Sequence, residues 1–309
     1  AEKNKVNLEF EAAVCGGVPI IRSIKESLIA NKINRIYGIF NGTSNYVLSS
    51  MDQKKTSFNE TINSAITLGY AEANPSSDIN GDDVGSKVKI LSSLSFNSFI
   101  NQNIHIEGIK NIDDKDVINA NKLGYKIKLL GFSEIINKKL YQRVHPTLVK
   151  HSSYIASING VLNAVIIDGK PIGKNIIQGE GAGPSATTSA LISDISSILR
   201  GNIKYPFAIS NNKRKKFSSG KISDLFFSSY VRLEVKDKYG VLSDVTKIFS
   251  KNKVSIKRVL QTPQKNKNNS SIIIITHSSK DVFLQKTLKT LAKKSYIIQQ
   301  PKLLRIDNG

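Results

Sequence analysis

Glu72, Asp78, Asp82 and Asp83 crowd a short stretch, GYAEANPSSDINGDDVGSK (residues 69–87), that runs into a helix carrying Lys87. On that helix Asp83 and Lys87 stand at i and i+4, so both side chains lie on one face, acid before base. Carboxylates accept hydrogen bonds from an amino group, and a lysine ammonium can donate a proton. The cluster therefore suits a small polar substrate that carries an amino group. The same spacing is also a common surface decoration, worth only about 0.2–0.5 kcal/mol. Val84, Val88 and Leu91 form one apolar row, and Lys87, Ile90 and Leu94 form the next. Lys87 thus heads a stripe that enters the core, where it is partly shielded and stability is a poor reason for it.

Several elements must position these groups. Residues 10–24 (FEAAVCGGVPIIRSI) read as a strand entering a glycine turn, then a helix with Pro19 near its start. Gly16 and Gly17 allow that turn to aim carbonyls inward. A strand over residues 34–40 leads into Asn41-Gly42-Thr43-Ser44-Asn45, where Gly42 permits a close backbone approach to a ligand. Ser57 and Glu60 make a capping box before a helix closed by Gly69. GEGAGPSATTSA (residues 179–190) follows a strand-rich stretch and precedes a helix over residues 187–199, as phosphate- or ribose-cradling loops do.

These motifs, taken in order with GIFNGTSNYVL (residues 38–48) and VHPTLV (residues 144–149), resemble homoserine dehydrogenases along most of the chain. The resemblance implies hydride transfer between NADP or NAD and the aldehyde carbon of L-aspartate 4-semialdehyde, giving L-homoserine. That reaction belongs to threonine, methionine and isoleucine biosynthesis. Lys87, or a water it holds, would protonate the developing oxyanion, and Asp83 would orient Lys87. Glu72 and Asp78 would bind the substrate amino group, with Thr43 and Tyr70 also lining the substrate pocket. Gly181 and Gly183 would touch the cofactor. The carbonyls of Glu11, Val14, Gly16 and Val18 would hold a monovalent cation such as Na+; a tight turn without an ion reads equally well. Two positions depart from the family pattern near the site: Asn74 stands where an aspartate is usual, and Glu180 where a proline is common.

No glycine-rich turn between a strand and a helix, with an acid some twenty residues on, occurs in the chain. The sequence opens on AEKNKVN, without methionine, so the expectation is a chain lacking most of its nucleotide-binding domain and inactive by itself. The preference between NAD and NADP has no residue to read it.

Composition narrows the classes. At 309 residues the chain accommodates two or three domains. One cysteine excludes an internal disulfide, and four scattered histidines make no zinc spacing. No apolar run matches a membrane span and no signal peptide opens the chain, which predicts a cytoplasmic protein with no membrane contact. The net charge of +21 would suggest nucleic acid, yet the lysines are dispersed, tryptophan is absent and no aromatic residues interleave with them. The reading is solvated lysines and no nucleic-acid partner, the densest run being residues 213–216 (KRKK) in a polar linker.

Beyond that linker the pattern reads βαββαβ, with a polar hairpin connection at residues 264–269, which fits a ferredoxin-like domain. Residues 237–261 (DKYGVLSDVTKIFSKNKVSIKRVLQ) resemble an ACT domain, in which Asp237 and Gly240 would bind an amino-acid effector such as threonine. Tyr239 replaces the usual proline of that turn, and a bare dimerisation role reads as well as effector binding. The predicted fold is therefore α+β or α/β. A remnant of a Rossmann nucleotide domain spans residues 1–8, and a mixed-sheet dehydrogenase catalytic domain spans residues 9–180. A helix returning to the nucleotide domain spans residues 181–205, a linker 206–226 and the ACT domain 227–309. A homodimer is expected. The rival from another class is a non-catalytic amino-acid-binding ACT regulator.

Overall fold

The computed structural model describes residues 1–101, 103–201, 205–263 and 268–307, and they fall into two compact units. The first comprises residues 1–146 and 151–220, the second residues 147–150 and 221–309.

The first unit holds the helices α1 (Ile20–Arg22), α2 (Gly42–Lys54), α3 (Phe58–Thr67), α4 (Ser76–Asn80), α5 (Asp82–Ser95), α6 (Asp114–Lys122) and α7 (Pro184–Arg200), of which α2, α5 and α6 pack on a sheet. Its strands are β1 (Lys32–Ile39), β2 (His105–Ile106), β3 (Tyr125–Ile136), β4 (Lys139–Lys150, its last four residues counted with the second unit), β5 (Leu162–Lys170), β6 (Gly173–Glu180) and β7 (Ser218–Ser219). The main order is β6-β5-β1-β3-β4, with β1 antiparallel to both β3 and β5. Two facing glycines bring α5 close to this sheet. Gly38 of β1 pairs with Gly131 of β3. A Cβ on Gly131 would come within 2.5 Å of Val88 of α5 and 2.8 Å of the Phe40 ring. A Cβ on Gly38 would stand 2.0 Å from the Ala164 carbonyl oxygen. Only residues without a side chain leave the slot that Phe40 fills and α5 covers.

The local signals behave as their chemistry dictates. Ser57 and Glu60 exchange the two bonds of a capping box at the start of α3. The segment read as a strand before the glycine turn is instead a single 3-10 turn, Glu11–Ala13. The Glu11 carboxylate accepts the Ile21 and Arg22 amides at 2.8 and 2.7 Å, and the Glu11 amide donates to Asp194 of α7 at 2.9 Å. Those tertiary bonds curl the segment away from an extended path. The KRKK run is also more ordered than a free linker: the Arg214 guanidinium donates to the Ser98 carbonyl and lies over the rings of Phe99 and Phe207. The long α7 leaves Leu191, Ile192, Ile195 and Leu199 exposed.

The second unit runs β8 (Phe226–Lys236), α8 (Val241–Lys251), β9 (Ile256–Pro263), β10 (Asn269–Thr276), β11 (Ser279–Lys280), α9 (Asp281–Leu291) and β12 (Lys302–Asp307). Apart from the two-residue β11, this is the βαββαβ order. Residues 264–267 of the expected hairpin connection lie outside the described residues. Val231, Leu233 and Val235 alternate on one face of β8 and meet Val245 and Phe249 of α8 with Leu284 and Leu291 of α9. Strand order is β12-β8-β10-β9, with residues 147–149 pairing parallel to β12. No described helix is long and apolar enough to cross a membrane.

Candidate active site

Asn41 is the hub of the acidic cluster. Its Oδ1 accepts the Ser44 amide at 2.7 Å and so caps α2. With that oxygen committed, its Nδ2 faces two carboxylates, donating to Asp78 Oδ1 at 2.8 Å and to Asp83 Oδ2 at 2.9 Å. Lys87 Nζ donates to the same Asp83 Oδ2 at 2.8 Å and to the Phe40 carbonyl at 2.8 Å. An ammonium has three donors, so one remains for a ligand. The Phe40 carbonyl is available because β1 ends at Ile39 and α2 does not begin until Gly42. Strand end, helix cap and the first turns of α5 thus converge on one ammonium.

These groups border a cleft of about 670 Å³. Its walls include Thr43, Tyr70, Glu72, Asp78, Asp83 and Lys87 on one side of the chain, and Glu180, Gly181, Gly183 and Pro184 from the β6–α7 connection. Thr43 Oγ1 donates to the Tyr70 carbonyl at 2.7 Å, which ties the start of α2 to the loop bearing Glu72. Asn74 is not among the lining residues; its side chain accepts the Ser76 amide at 3.3 Å in a local turn. Glu180 does border the cleft, exposed to solvent.

Residues 15–17 lie against the glycine loop. The Gly17 amide donates to the Glu180 carbonyl at 2.9 Å. Cys15 and Gly16 both have positive φ, at 59° and 37°. Among the described backbone bonds, the carbonyls of Val14 and Gly16 accept none, whereas those of Glu11 and Val18 accept Val14 and Ile20 amides. No group of three or more His, Cys, Asp or Glu suited to a metal exists among the described residues. Burial pushes the Cys15 thiol up to about 11, so it stays protonated near neutrality and is no nucleophile. Gly181 has no room for a side chain: a Cβ would stand 2.4 Å from the buried Asn163 amide. The loop therefore presents bare backbone along the cleft, ahead of the N-terminus of α7.

In the second unit Asp237, with Lys238 and Tyr239, lines a separate hollow of about 660 Å³. Gly240, at φ 83°, starts α8 beside it. From the sequence Asn41 reads as part of a turn, with no role of its own. Asparagine before the glycine that opens α2 is a legible cap signal, but nothing local announces the two carboxylates it joins.

Comparison with known proteins bears on the family and the fold. A family model described as homoserine dehydrogenase matches residues 19–196, and one described as ACT domain matches residues 229–294. A homoserine dehydrogenase from Neisseria gonorrhoeae is 35% identical over 100% of this chain, which spans 72% of that protein. The crystal structure of a homoserine dehydrogenase from Thiobacillus denitrificans superposes with a TM-score of 0.90 at 33% identity, covering 96% of this chain and 69% of that one. A hyperthermophilic archaeal homoserine dehydrogenase in complex with NADPH matches at a TM-score of 0.55 and 28% identity, over 63% of this chain and 56% of that one.

Proposed function

The chain belongs to the homoserine dehydrogenase family and is an oxidoreductase; from that premise we propose that its cleft interconverts L-aspartate 4-semialdehyde and L-homoserine. Members of this family depend on NAD(P), and the dinucleotide supplies or accepts the hydride at the substrate's C4 carbon. Gly181 and Gly183 would lie along it, since their side-chain-free backbone borders the cleft. The observation that carries the reading is Lys87, fixed by Asp83 and Phe40 at the cleft wall with one N–H to spare. As negative charge grows on the aldehyde oxygen, Lys87 neutralises it and delivers a proton, directly or through one water. In the reverse direction it takes the hydroxyl proton. Asp78 and Glu72 accept from the substrate's amino group and set the carbonyl in reach of Lys87. The pathway role proposed is threonine, methionine and isoleucine biosynthesis.

The test is nicotinamide oxidation by the protein with L-aspartate 4-semialdehyde, monitored in sodium and in tetramethylammonium salts. Turnover is the expected result, and none from a folded, cofactor-binding protein overturns the reading. The free carbonyls of Val14 and Gly16 support a monovalent cation among Glu11, Val14, Gly16 and Val18. Equal rates in the two salts would remove it.

The ACT domain supports binding of an amino-acid effector, and we propose threonine at the turn bearing Asp237 and Gly240, where a hollow adjoins the first turn of α8. Threonine should bind in calorimetry and Asp237→Ala should weaken it by about tenfold, the loss of one charged hydrogen bond. Binding indifferent to that substitution places the effector elsewhere. Strand β9 ends the strand order with β10 as its neighbour, an edge that supports a homodimer. Sedimentation of the same samples at the monomer mass would refute it.

A further inference from the structure

Lys128 is a charged side chain that the proposed chemistry does not use. It projects from β3 and is 1% exposed. Its Nζ meets Asn45 Oδ1 at 3.0 Å and Ser49 Oγ at 3.3 Å, both on α2, and Asn159 Oδ1 at 3.2 Å and the Ile158 carbonyl on the loop before β5. All four partners are oxygens, and none belongs to a carboxylate. Asn45 adds a second tie, its Nδ2 donating to the Ile158 and Leu162 carbonyls at 3.3 and 3.1 Å. The two segments so joined end at the cleft. Asn41, Gly42 and Thr43 of one and Val161 of the other line it, and a Cβ on Gly42 would stand 2.8 Å from the Val161 carbonyl oxygen.

We infer that Lys128 is a positioning residue of the substrate cleft, its ammonium acting as an internal cation that clamps the start of α2 to the 158–161 loop. The inference rests on the cleft being the substrate site, as proposed above. The clamp depends on protonation. An ammonium offers three N–H donors to its four oxygens; a neutral amine offers two and a lone pair that only the Ser49 hydroxyl can satisfy. Losing the proton thus leaves converging carbonyl oxygens without a donor, and the wall loosens. Burial lowers the Lys128 ammonium to about 7, with Lys126 pushing in the same direction and Asp52 opposing it. Lys126, from β3, and Asp52, from α2, are themselves 3.5 Å apart. The 154–161 segment adds only the half-exposed Tyr154, and α6, packed on both elements, carries Asp114, Lys115, Asp116 and Lys122. The clamp is closed below about 7 and opens above it.

The experiment measures the L-homoserine dissociation constant of this chain by calorimetry from about pH 6 to about pH 9, with backbone hydrogen exchange of residues 41–44 and 158–162 on the same samples. The dissociation constant should rise severalfold, and the protection of these amides relative to their intrinsic, base-catalysed exchange should fall severalfold, through one midpoint. Lys126→Gln removes the like charge that pushes Lys128 down and should move that midpoint up; Asp52→Asn should move it down. Neither substitution touches the cleft, and the substrate's own amine titrates identically in both. Lys128→Met should bind about tenfold more weakly at low pH, roughly one hydrogen bond, and lose the inflection. A midpoint unmoved in both charge variants, or Lys128→Met indistinguishable from the parent, overturns the clamp. A parent that binds no L-homoserine at any pH overturns the substrate reading instead, while hydrogen exchange still reads the clamp.

Discussion

Lys87→Met should lower turnover of the enzyme by about 10³-fold or more, the combined worth of the proposed proton donor and a preorganised charge at the oxyanion. The loss falls on the rate constant rather than on KM, because the charge that Lys87 meets exists in the transition state and not in the ground-state aldehyde. Stability changes little. The side chain is 18% exposed and its partner Asp83 is 29% exposed, so their ion pair is screened by solvent. Lys87→Arg separates the two roles: it keeps the charge but holds its proton too tightly to deliver it. A residual rate well above that of the methionine variant would assign Lys87 mainly to electrostatic stabilisation. A methionine variant within about tenfold of the parent would remove Lys87 from the chemistry altogether.

Asn41→Asp should reduce kcat/KM by about 10²-fold while leaving the protein folded. Aspartate still caps α2, since its oxygen accepts the Ser44 amide as asparagine does. What disappears is the donor between Asp78 and Asp83, and a third carboxylate takes its place. Three carboxylates at that range repel one another, so the side chains proposed to bind the amino group and orient Lys87 move from their places. A kcat/KM matching the parent would mean that Asp78 and Asp83 hold their places without the amide.

Both expectations depend on contacts of very different legibility. The acid–base pair at Asp83 and Lys87 could be read from its i,i+4 spacing, because an α-helix converts that spacing into proximity whatever surrounds it. The capping box at Ser57 and Glu60 was legible for the same reason. The alternation Val231, Leu233, Val235 and the helical runs beside it disclosed the βαββαβ order. The segment at residues 10–14 misled, since its apolar residues suggest a strand while its path is decided by what Glu11 binds. The distant amides of Ile21 and Arg22 capture its carboxylate, and Asp194 captures its amide.

Asn41 marks the boundary between the two kinds of information. As the cap of α2 it was available from the chain alone, since a cap bonds a residue three places on. As the bridge between Asp78 and Asp83 it spans 37 and 42 residues, and nothing in the local pattern encodes that. Lys128 is the more extreme case: among isoleucines and leucines on β3 it reads as one more surface lysine, yet it is 1% exposed and held by oxygens 30 to 83 residues away. The sequence by itself determined the family, the βαββαβ order of the second unit and the acid–base pair, because those follow from short-range periodicity and recognisable motifs. Tertiary structure alone decided which side chains share the cleft and which charges are sealed behind it, because burial and long-range hydrogen bonds exist only once distant segments pack.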